Sequence, residues 1–210
     1  MEDVLEVYRR PYDPKKPQIC IDETSKQLLE HTRIPIPASK GTLSRVDDEY
    51  KRCGTANIFL CVEPLEGKTV VKATDHRTKV DFAHFIRDLC DGPYRDAEKL
   101  VIVMDNLNTH STASLYEAFP PSEARRLVEK LEIHYTPKHG SWLDIAEIEL
   151  SVLSRQCLHQ RIGSMACLKE ILQFWEEQRN GEEHTVTWRF TTENARIKLR
   201  RLYPILECEK

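Results

Sequence analysis

Three acidic residues of this sequence stand where carboxylates could share divalent cations: Asp22, Asp105 and Glu147. Hard cations such as Mg²⁺ prefer oxygen ligands and are often held in proteins by only one or two carboxylates. Two such ions, about 3.5–4 Å apart, activate a nucleophilic oxygen and stabilise the leaving oxygen of an in-line phosphoryl displacement. The chemistry that this trio indicates is therefore metal-dependent phosphoryl transfer.

The two aspartates are each predicted to end a buried strand. Asp22 closes the apolar run QICID at 18–22, and Asp105 closes the run LVIVMD at 100–105. Ligands of open α/β sheets gather at the carboxyl ends of strands. An acid at this position more often caps the next helix or binds a turn, but the helix after Asp105 has a better cap candidate in Ser111.

The glutamate is selected by helix geometry. The segment from about 143 to 160 is predicted to be a long helix with one apolar stripe, formed by Leu143, Ala146, Leu150, Leu153 and Cys157. At about 100° per residue, Glu147 lies at the inner edge of this stripe, whereas Glu149 projects about 160° away from Glu147. A carboxylate on a buried border is costly unless it is paired or metal-bound. Glu147 is therefore either a metal ligand or the partner of a nearby Lys or Arg.

The elements that must position these residues alternate between strands and helices. In chain order they are a helix at 2–10, a strand at 18–22, a loop at 31–42, a hairpin of 56–63 and 69–73, a helix at 79–90, a strand at 100–105, a helix broken at Pro120-Pro121 and resumed at 122–130, a strand at 131–135, the helix at 143–160, and helices at 164–179 and 192–201. This order predicts a mixed sheet covered by helices. Trp175 and Trp188 are predicted to dock the last helices on the main body.

Composition and motifs narrow the class of protein. Hydrophobic residues make up 40% of the 210 residues, enough for a core, and the formal charge of -3 with a pI near 6.3 lacks the basic excess of most nucleic-acid binders. If DNA is the substrate, strong sequence recognition is expected elsewhere. Seven cysteines without a C-x-x-C pair predict reduced thiols. No signal segment or membrane span is present, and no P-loop, G-x-S-x-G or H-E-x-x-H motif offers another catalytic set.

Three segments resemble the acidic motifs of a known enzyme family. They are ICIDE at 19–23, VIVMDNLNTH at 101–110 and HYTPKHGSWLDIAEIELSVLSRQCL at 134–158. They look like those of insertion-sequence transposases related to the eukaryotic mariner elements, often grouped as DDE superfamily endonucleases. The tail WRFTTENARIKLRRLYP at 188–204 resembles the C-terminal signature of the same branch.

The resemblance implies a fold and a division of the chain. The expected fold is α/β and RNase H-like, with a mixed five-stranded sheet flanked by helices and a helical C-terminal extension. An N-terminal helix and linker would span 1–17, the catalytic domain 18–162, and the extension packed on it 163–210.

The resemblance also implies catalytic residues. The family's two aspartates fall on Asp22 and Asp105, and its third acid falls on Glu147, because LDIAE matches an L-N-P-I-E-like segment. These three would hold two Mg²⁺ ions, with Mn²⁺ as an alternative. Asp144 departs from the family, which commonly has Asn there. An added carboxylate could disturb metal affinity or raise a pKa.

Further residues are candidates for supporting roles. Asn106 and Asn108 are expected to brace Asp105. His110 could orient a water, contact a phosphate or bind a loop carbonyl. Candidate DNA contacts lie on the loop before Glu147 and in the basic C-terminal cluster: Lys138, His139, Ser141, Trp142, Arg196, Lys198, Arg200 and Arg201. Alternatively, Trp142 fills the core and the basic cluster is a solvated helix face.

The expected partners are the element's terminal repeats and target DNA, bound by a homodimer in the bacterial cytoplasm at the nucleoid. Family members carry a helix-turn-helix region that this chain does not include, which indicates a fragment, one frame of a split gene or a decayed element. Alternatives are an inactive remnant that only binds DNA or a partner, and another RNase H-fold nuclease, such as an RNase H or a junction resolvase. A phosphatase is disfavoured because no covalent nucleophile motif is present.

Overall fold

The computed structural model of the protein describes residues 1–138 and 140–203. The strands are β1 (Gln18–His31), β2 (Tyr50–Glu63), β3 (Lys68–Thr74), β4 (Leu100–Met104) and β5 (Leu131–Tyr135). The helices are α1 (Glu2–Tyr8), α2 (Lys79–Asp91), α3 (Thr112–Ala118), α4 (Pro121–Lys130), α5 (Ile145–Leu153), α6 (Met165–Gly181) and α7 (Thr192–Lys198). Short 3₁₀ turns span Ser141–Leu143 and Arg200–Leu202, and α5 continues into a π turn at Ser154–Leu158.

The five strands form one mixed sheet in the order β3-β2-β1-β4-β5. Strands β1, β2 and β3 pair antiparallel, whereas β1, β4 and β5 pair parallel. All five residues of β4 are buried, because a central parallel strand is covered by helices on both faces. The predicted mixed five-stranded sheet flanked by helices is confirmed.

The alternation of side chains along β1 separates two cores. Cys20 packs into the core beneath α1, α5 and α6, whereas Ile19 and Ile21 pack into the core beneath α2, α3 and α4. Successive side chains of a strand point to opposite faces. Asp22 therefore lies on the α5 face of the sheet, and Glu23 lies on the α2 face.

The prediction of a short first strand ending at Asp22 is wrong. Strand β1 continues to His31 and pairs with β2 as far as Tyr50, with one register shift between Gln27 and Leu29. Pairing of this outer half depends on backbone hydrogen bonds, and most of its side chains are not buried, so it lacks the apolar run that marks the inner half. The parallel pairing of β1 with β4 nevertheless ends at Ile21 and Met104. The predicted position of Asp22 at the end of a parallel strand pair therefore holds, although β1 itself continues.

Helix α6 covers the outer edge of the sheet. The Asn180 side chain accepts a hydrogen bond from the backbone N–H of Thr69 and donates one to its carbonyl, at 2.7 and 2.9 Å. Glu176 accepts a third from the backbone N–H of Val71, at 2.8 Å. These side chains bind the backbone of β3 where a further strand would otherwise pair with it. They satisfy backbone groups that an edge strand otherwise exposes.

The two tryptophans contact earlier elements, as predicted. Trp175 is buried and donates its indole N–H to Gln156 Oε1 at 2.7 Å. The Trp188 ring lies 5.0 Å from the Tyr8 ring. No helix within residues 1–138 and 140–203 is long and apolar enough to cross a membrane.

Candidate active site

Asp22 and Asp105 lie side by side at one edge of the parallel ladder. Ile21 pairs with Met104, and each aspartate is the next residue along its chain. Because neighbouring strands lie about 4.8 Å apart, continuing the register by one residue brings the two aspartates together. The predicted meeting of two acids therefore follows from strand register, although Asp22 lies within its strand.

The Asp22 carboxyl is crowded by other acids. Burial raises its pKa to about 6, and the negative charges of Glu23, Asp105 and Glu147 act in the same direction. A hydrogen bond to Asp22 Oδ1 from the backbone N–H of Glu23, at 2.8 Å, opposes this shift only in part. Neighbouring negative charges disfavour the ionised form of a carboxyl, so the pKa of Asp22 reports the acids around it.

Helix α5 delivers two further carboxyls. It begins at Ile145, two residues later than predicted, because Asp144 serves as its N-cap and accepts a hydrogen bond at Oδ1 from the backbone N–H of Ala146, at 2.9 Å. This cap places Glu147 in the first turn of the helix. Glu147 makes no ion pair with any residue that the structure describes, so the alternative of a structural Lys or Arg partner finds no support.

Asp144 is buried without a full set of partners. The residue is 1% exposed, and its Oδ2 has no hydrogen-bond partner within the described residues. Burial raises its pKa well above the usual value, and the charges of Asp22, Glu147 and Asp105 add to the shift. The added carboxyl therefore has the raised pKa that was one expectation for this position, and its surroundings favour the neutral form.

Asp105 is oriented by His110. Its Oδ1 accepts a hydrogen bond from the backbone N–H of Leu107 at 3.1 Å and lies 2.6 Å from His110 Nδ1. The contact with His110 is the main cause that lowers the pKa of Asp105, with the charge of Arg77 contributing. Both contacts engage Oδ1, so Oδ2 is left for another ligand.

His110 is inaccessible to substrate. It is 0% exposed, so it cannot contact a phosphate, one of the roles considered for it. Its Nε2 lies 2.7 Å from Glu23 Oε2, an ion-pair distance without hydrogen-bond alignment. Burial lowers the pKa of His110, but its contacts with Asp105 and Glu23 outweigh burial and raise it to about 9.

Glu23 and Arg77 were missed by the sequence reasoning. The Glu23 side chain is 2% exposed, and its Oε1 lies 3.5 Å from Arg77 NH1. Strand alternation could have indicated Glu23, because it points away from Asp22 toward the face that carries His110. Arg77 lies in the loop between β3 and α2, where no sequence pattern distinguishes it from other exposed cations.

The site offers hard oxygen ligands in pairs. In the described part of the chain, no three His, Cys, Asp or Glu side chains converge closely enough to hold one ion. Mg²⁺ is usually bound by one or two carboxylates, with substrate and water completing its shell. Asp105 and Glu147 are acids whose negative charges help to raise the pKa of Asp22. Together with the unengaged Oδ2 of Asp105, this donor set fits divalent cations.

The predicted DNA-contact residues are only partly assembled. Trp142 is 41% exposed, so it does not fill the core, and its ring meets Phe190 edge-on at 5.7 Å. Lys198 Nζ lies 5.9 Å from the Phe190 ring. Arg196 instead makes two hydrogen bonds with Glu2, both at 2.8 Å, so it is engaged within the protein.

The remaining candidates do not join this group through a described contact. Lys138, Arg200, Arg201 and Asn106 are exposed. The Asn106 and Asn108 side chains make no hydrogen bond among the described residues, so the expected bracing of Asp105 is performed by His110 and the Leu107 N–H instead. His139 and the side chain of Ser141 lie outside the described residues.

Comparison with known families gives one sequence match. The profile described as DDE superfamily endonuclease matches residues 17–169, about three quarters of the chain. This range contains all four carboxyls of the site. Among curated proteins, no sequence matches the chain.

Solved structures with a similar fold are transposase complexes. The Mos1 strand transfer complex has a TM-score of 0.58 at 13% identity, with 86% of this chain and 52% of that chain covered. The Mos1 paired-end complex with left transposon end has a TM-score of 0.57 at 12% identity, with coverage of 87% and 56%. The Mos1 mariner paired end complex with Mn has a TM-score of 0.56 at 14% identity, with coverage of 86% and 54%. The chain thus shares the RNase H-like fold and spans about half the length of these chains.

Proposed function

We propose, from the premise that this chain belongs to the DDE superfamily endonucleases, that it is the catalytic domain of a transposase. It would cleave DNA phosphodiesters at the ends of a mobile element and join the freed ends to target DNA. The observation that carries the proposal is the group of carboxyls at the end of the parallel ladder, with Glu147 unpaired by any described cation. The Mos1 complexes, which contain transposon ends or Mn, support the same reading.

In this proposal Asp22, Asp105 and Glu147 hold two Mg²⁺ ions, or Mn²⁺ in their place. When bound, these ions would activate the attacking oxygen and stabilise the leaving oxygen of an in-line displacement. Asp22 is the proposed shared ligand, because its pKa responds to the charges of both other acids. His110 contacts Asp105 through Oδ1, which leaves Oδ2 for a cation.

The surface beside the carboxyls suits a DNA strand. Trp142 lies two residues before the N-cap of α5. Its exposed ring packs against the Phe190 ring, and Lys198 Nζ lies over the same Phe190 ring. Aromatic faces can stack on bases, and lysines neutralise phosphates. We propose Trp142, Lys138 and Lys198 as the first contacts, with Arg200 as a further candidate, whereas contact by Arg196 would require release from Glu2. Roles for His139 and Ser141 in the same loop remain predictions.

A nicking assay tests the proposal. The substrate is a supercoiled plasmid that carries the genomic flanks of this reading frame, incubated with Mg²⁺ or Mn²⁺. Wild type should produce nicked and linear DNA, whereas Asp22→Asn, Asp105→Asn and Glu147→Gln should each abolish cleavage while remaining folded in EDTA. Cleavage at the wild-type rate by Glu147→Gln would refute the assignment.

The same assay separates the rivals. A wild-type protein that binds the plasmid but shows neither cleavage nor saturable Mn²⁺ binding is the inactive remnant. Preference for an RNA–DNA hybrid or a four-way junction over linear ends identifies another RNase H-fold nuclease. A homodimer on DNA and the division at 17 and 162 are further proposals, which native mass measurement and limited proteolysis can examine.

A further inference from the structure

A chain of charged side chains runs from the protein surface to Asp105. Arg77 is half-exposed and lies 3.5 Å from Glu23 Oε1, and Glu23 Oε2 lies 2.7 Å from His110 Nε2. His110 Nδ1 lies 2.6 Å from Asp105 Oδ1. Glu23 and His110 are almost completely buried, so charge on either one must be balanced within the protein.

The imidazole has little freedom to turn. The Phe82 ring lies 4.8 Å from it on the α2 side, and the backbone carbonyl of His110 accepts a hydrogen bond from the Tyr135 hydroxyl at 2.8 Å. A carboxylate on each ring nitrogen removes the remaining rotational choice. The orientation of Asp105 is therefore set by His110, and the His110 ring is in turn held in place by its own neighbours.

We propose that Glu23 is a positioning residue for the metal ligands: it fixes the His110 ring, which directs Asp105 so that one carboxylate oxygen faces the cations. This inference rests on the proposed function, because it assigns Glu23 a part in the same site. A ligand's outer partner usually affects metal affinity by about 10–100-fold. Glu23 is suited to this part because it alternates with Asp22 on β1, so one strand segment supplies a ligand on one face and a brace on the other.

The test measures metal affinity directly. Mn²⁺ binding to the metal-free 210-residue protein is followed by calorimetry for wild type and Glu23→Gln, in which the amide keeps an oxygen near His110 but loses the charge. We expect Mn²⁺ to bind Glu23→Gln about tenfold more weakly. At saturating Mn²⁺ the cleavage rate should recover to within a few-fold of wild type, which a general loss of folded protein would not allow.

A second readout needs no metal. The short contacts of His110 predict an imidazole N–H proton that exchanges slowly with water and resonates far downfield in the metal-free protein. This resonance should move in Glu23→Gln. The matched control is Glu63→Gln: Glu63 is 1% exposed on the neighbouring strand β2, at the opposite end of the sheet, and its oxygens have no described partner. This control should leave both the resonance and Mn²⁺ affinity unchanged.

The outcomes separate this inference from the proposed function. Equal Mn²⁺ affinity of wild type and Glu23→Gln overturns the positioning role alone, whereas wild type without saturable Mn²⁺ binding overturns both. If Glu23→Gln melts more than a few degrees below wild type, Arg77→Met takes its place, because Arg77 is half-exposed and its removal leaves the core intact. About threefold weaker Mn²⁺ binding by Arg77→Met then supports the inference, and unchanged binding overturns it.

Discussion

The two faces of helix α5 use the same residue type in opposite ways. On one face Glu147 joins Asp22, Asp105 and Asp144, and it has no described cationic partner. On the other face Glu149 is 5% exposed and makes two hydrogen bonds with Arg179, at 2.5 and 2.9 Å. The two glutamates are two residues apart and are both drawn toward the protein interior.

The difference lies in where the compensating charge comes from. Arg179 belongs to α6, so the Glu149 face is complete within the chain and ties two helices together. The Glu147 face gathers acids without enough cations, which costs stability that a purely structural site would not need to lose. A raised pKa alone does not mark such a face, because Glu63, at the far end of the sheet, also has its pKa raised by burial to about 7. What distinguishes the α5 site is that acids from separate elements, Asp105 after β4 and Glu147 on α5, help to raise the pKa of Asp22 on β1.

The most direct test of this contrast replaces the glutamate on each face of α5 by glutamine, which removes the charge and keeps the shape. Glu147→Gln should lose metal-dependent DNA cleavage by about 10⁴-fold or more, because a ligand of the reacting centre is removed. Glu149→Gln should cleave within a few-fold of wild type wherever it remains folded. Initial rates of plasmid nicking, measured at a temperature at which both proteins are folded, check this. Equal losses in the two variants would mean that the faces do not differ in role.

For the free energy of unfolding we expect the opposite order, with a larger loss from changing Glu149 than from changing Glu147. Removing one partner of a buried ion pair leaves an uncompensated charge, so Glu149→Ala should lower the free energy of unfolding by about 3 kcal/mol. Glu147→Gln in EDTA should be as stable as wild type or slightly more so, since it relieves repulsion. Urea unfolding monitored by circular dichroism measures both.

An Arg179→Met variant completes a double-mutant cycle for the Glu149 face of α5, which we call the structural face. If the pair acts as described, Glu149→Ala and Arg179→Met together should cost clearly less than the sum of the single changes. Additive losses would show that Glu149 and Arg179 act independently, and the account of the structural face would then fail.

The acids of the site could be predicted because each is marked by local periodicity. Apolar runs precede Asp22 and Asp105, and helical spacing places Glu147 at the border of an apolar stripe. Strand β4 and helices α2 and α4 were predictable for the same reason. The outer half of β1 was not, because its pairing with β2 depends on backbone hydrogen bonds that any sequence can make.

The partners of these acids could not be predicted with the same reliability. The meeting of Glu23 with His110 depends on which face of β1 lies against the segment after β4, a tertiary fact. The role of Asp144 as an N-cap depends on where α5 begins, and helix ends are poorly specified by periodicity. Sequence therefore indicates which residues are available for chemistry, whereas packing decides what holds them.

A smaller effect should appear in the pH dependence of stability. The folded pKa of Asp22, about 6, exceeds its usual value of 3.8, so the folded state binds more protons between these values. The free energy of unfolding in EDTA should therefore rise as the pH falls from about 6 to about 4, by about 2 kcal/mol from this group. Glu63 titrates in a nearby range, so the difference between wild type and Asp22→Asn isolates the contribution. Parallel stability curves for the two proteins would contradict the crowding of Asp22.

The smallest change is expected at Asp144, the N-cap of α5 on the face that carries Glu147. It is buried, and burial with the neighbouring acids raises its pKa well above the usual range, which favours the neutral form that an amide resembles in charge and shape. Its Oδ1 caps α5, a task that an Asn side chain performs equally well. Asp144→Asn should therefore keep Mn²⁺ affinity and cleavage within about threefold of wild type, with stability changed by less than about 1 kcal/mol. Calorimetry and urea unfolding at pH 7 measure these quantities. A tenfold loss of Mn²⁺ affinity in Asp144→Asn would show that Asp144 is ionised when the cations bind, and it would add a fourth charged ligand to the face that carries Glu147.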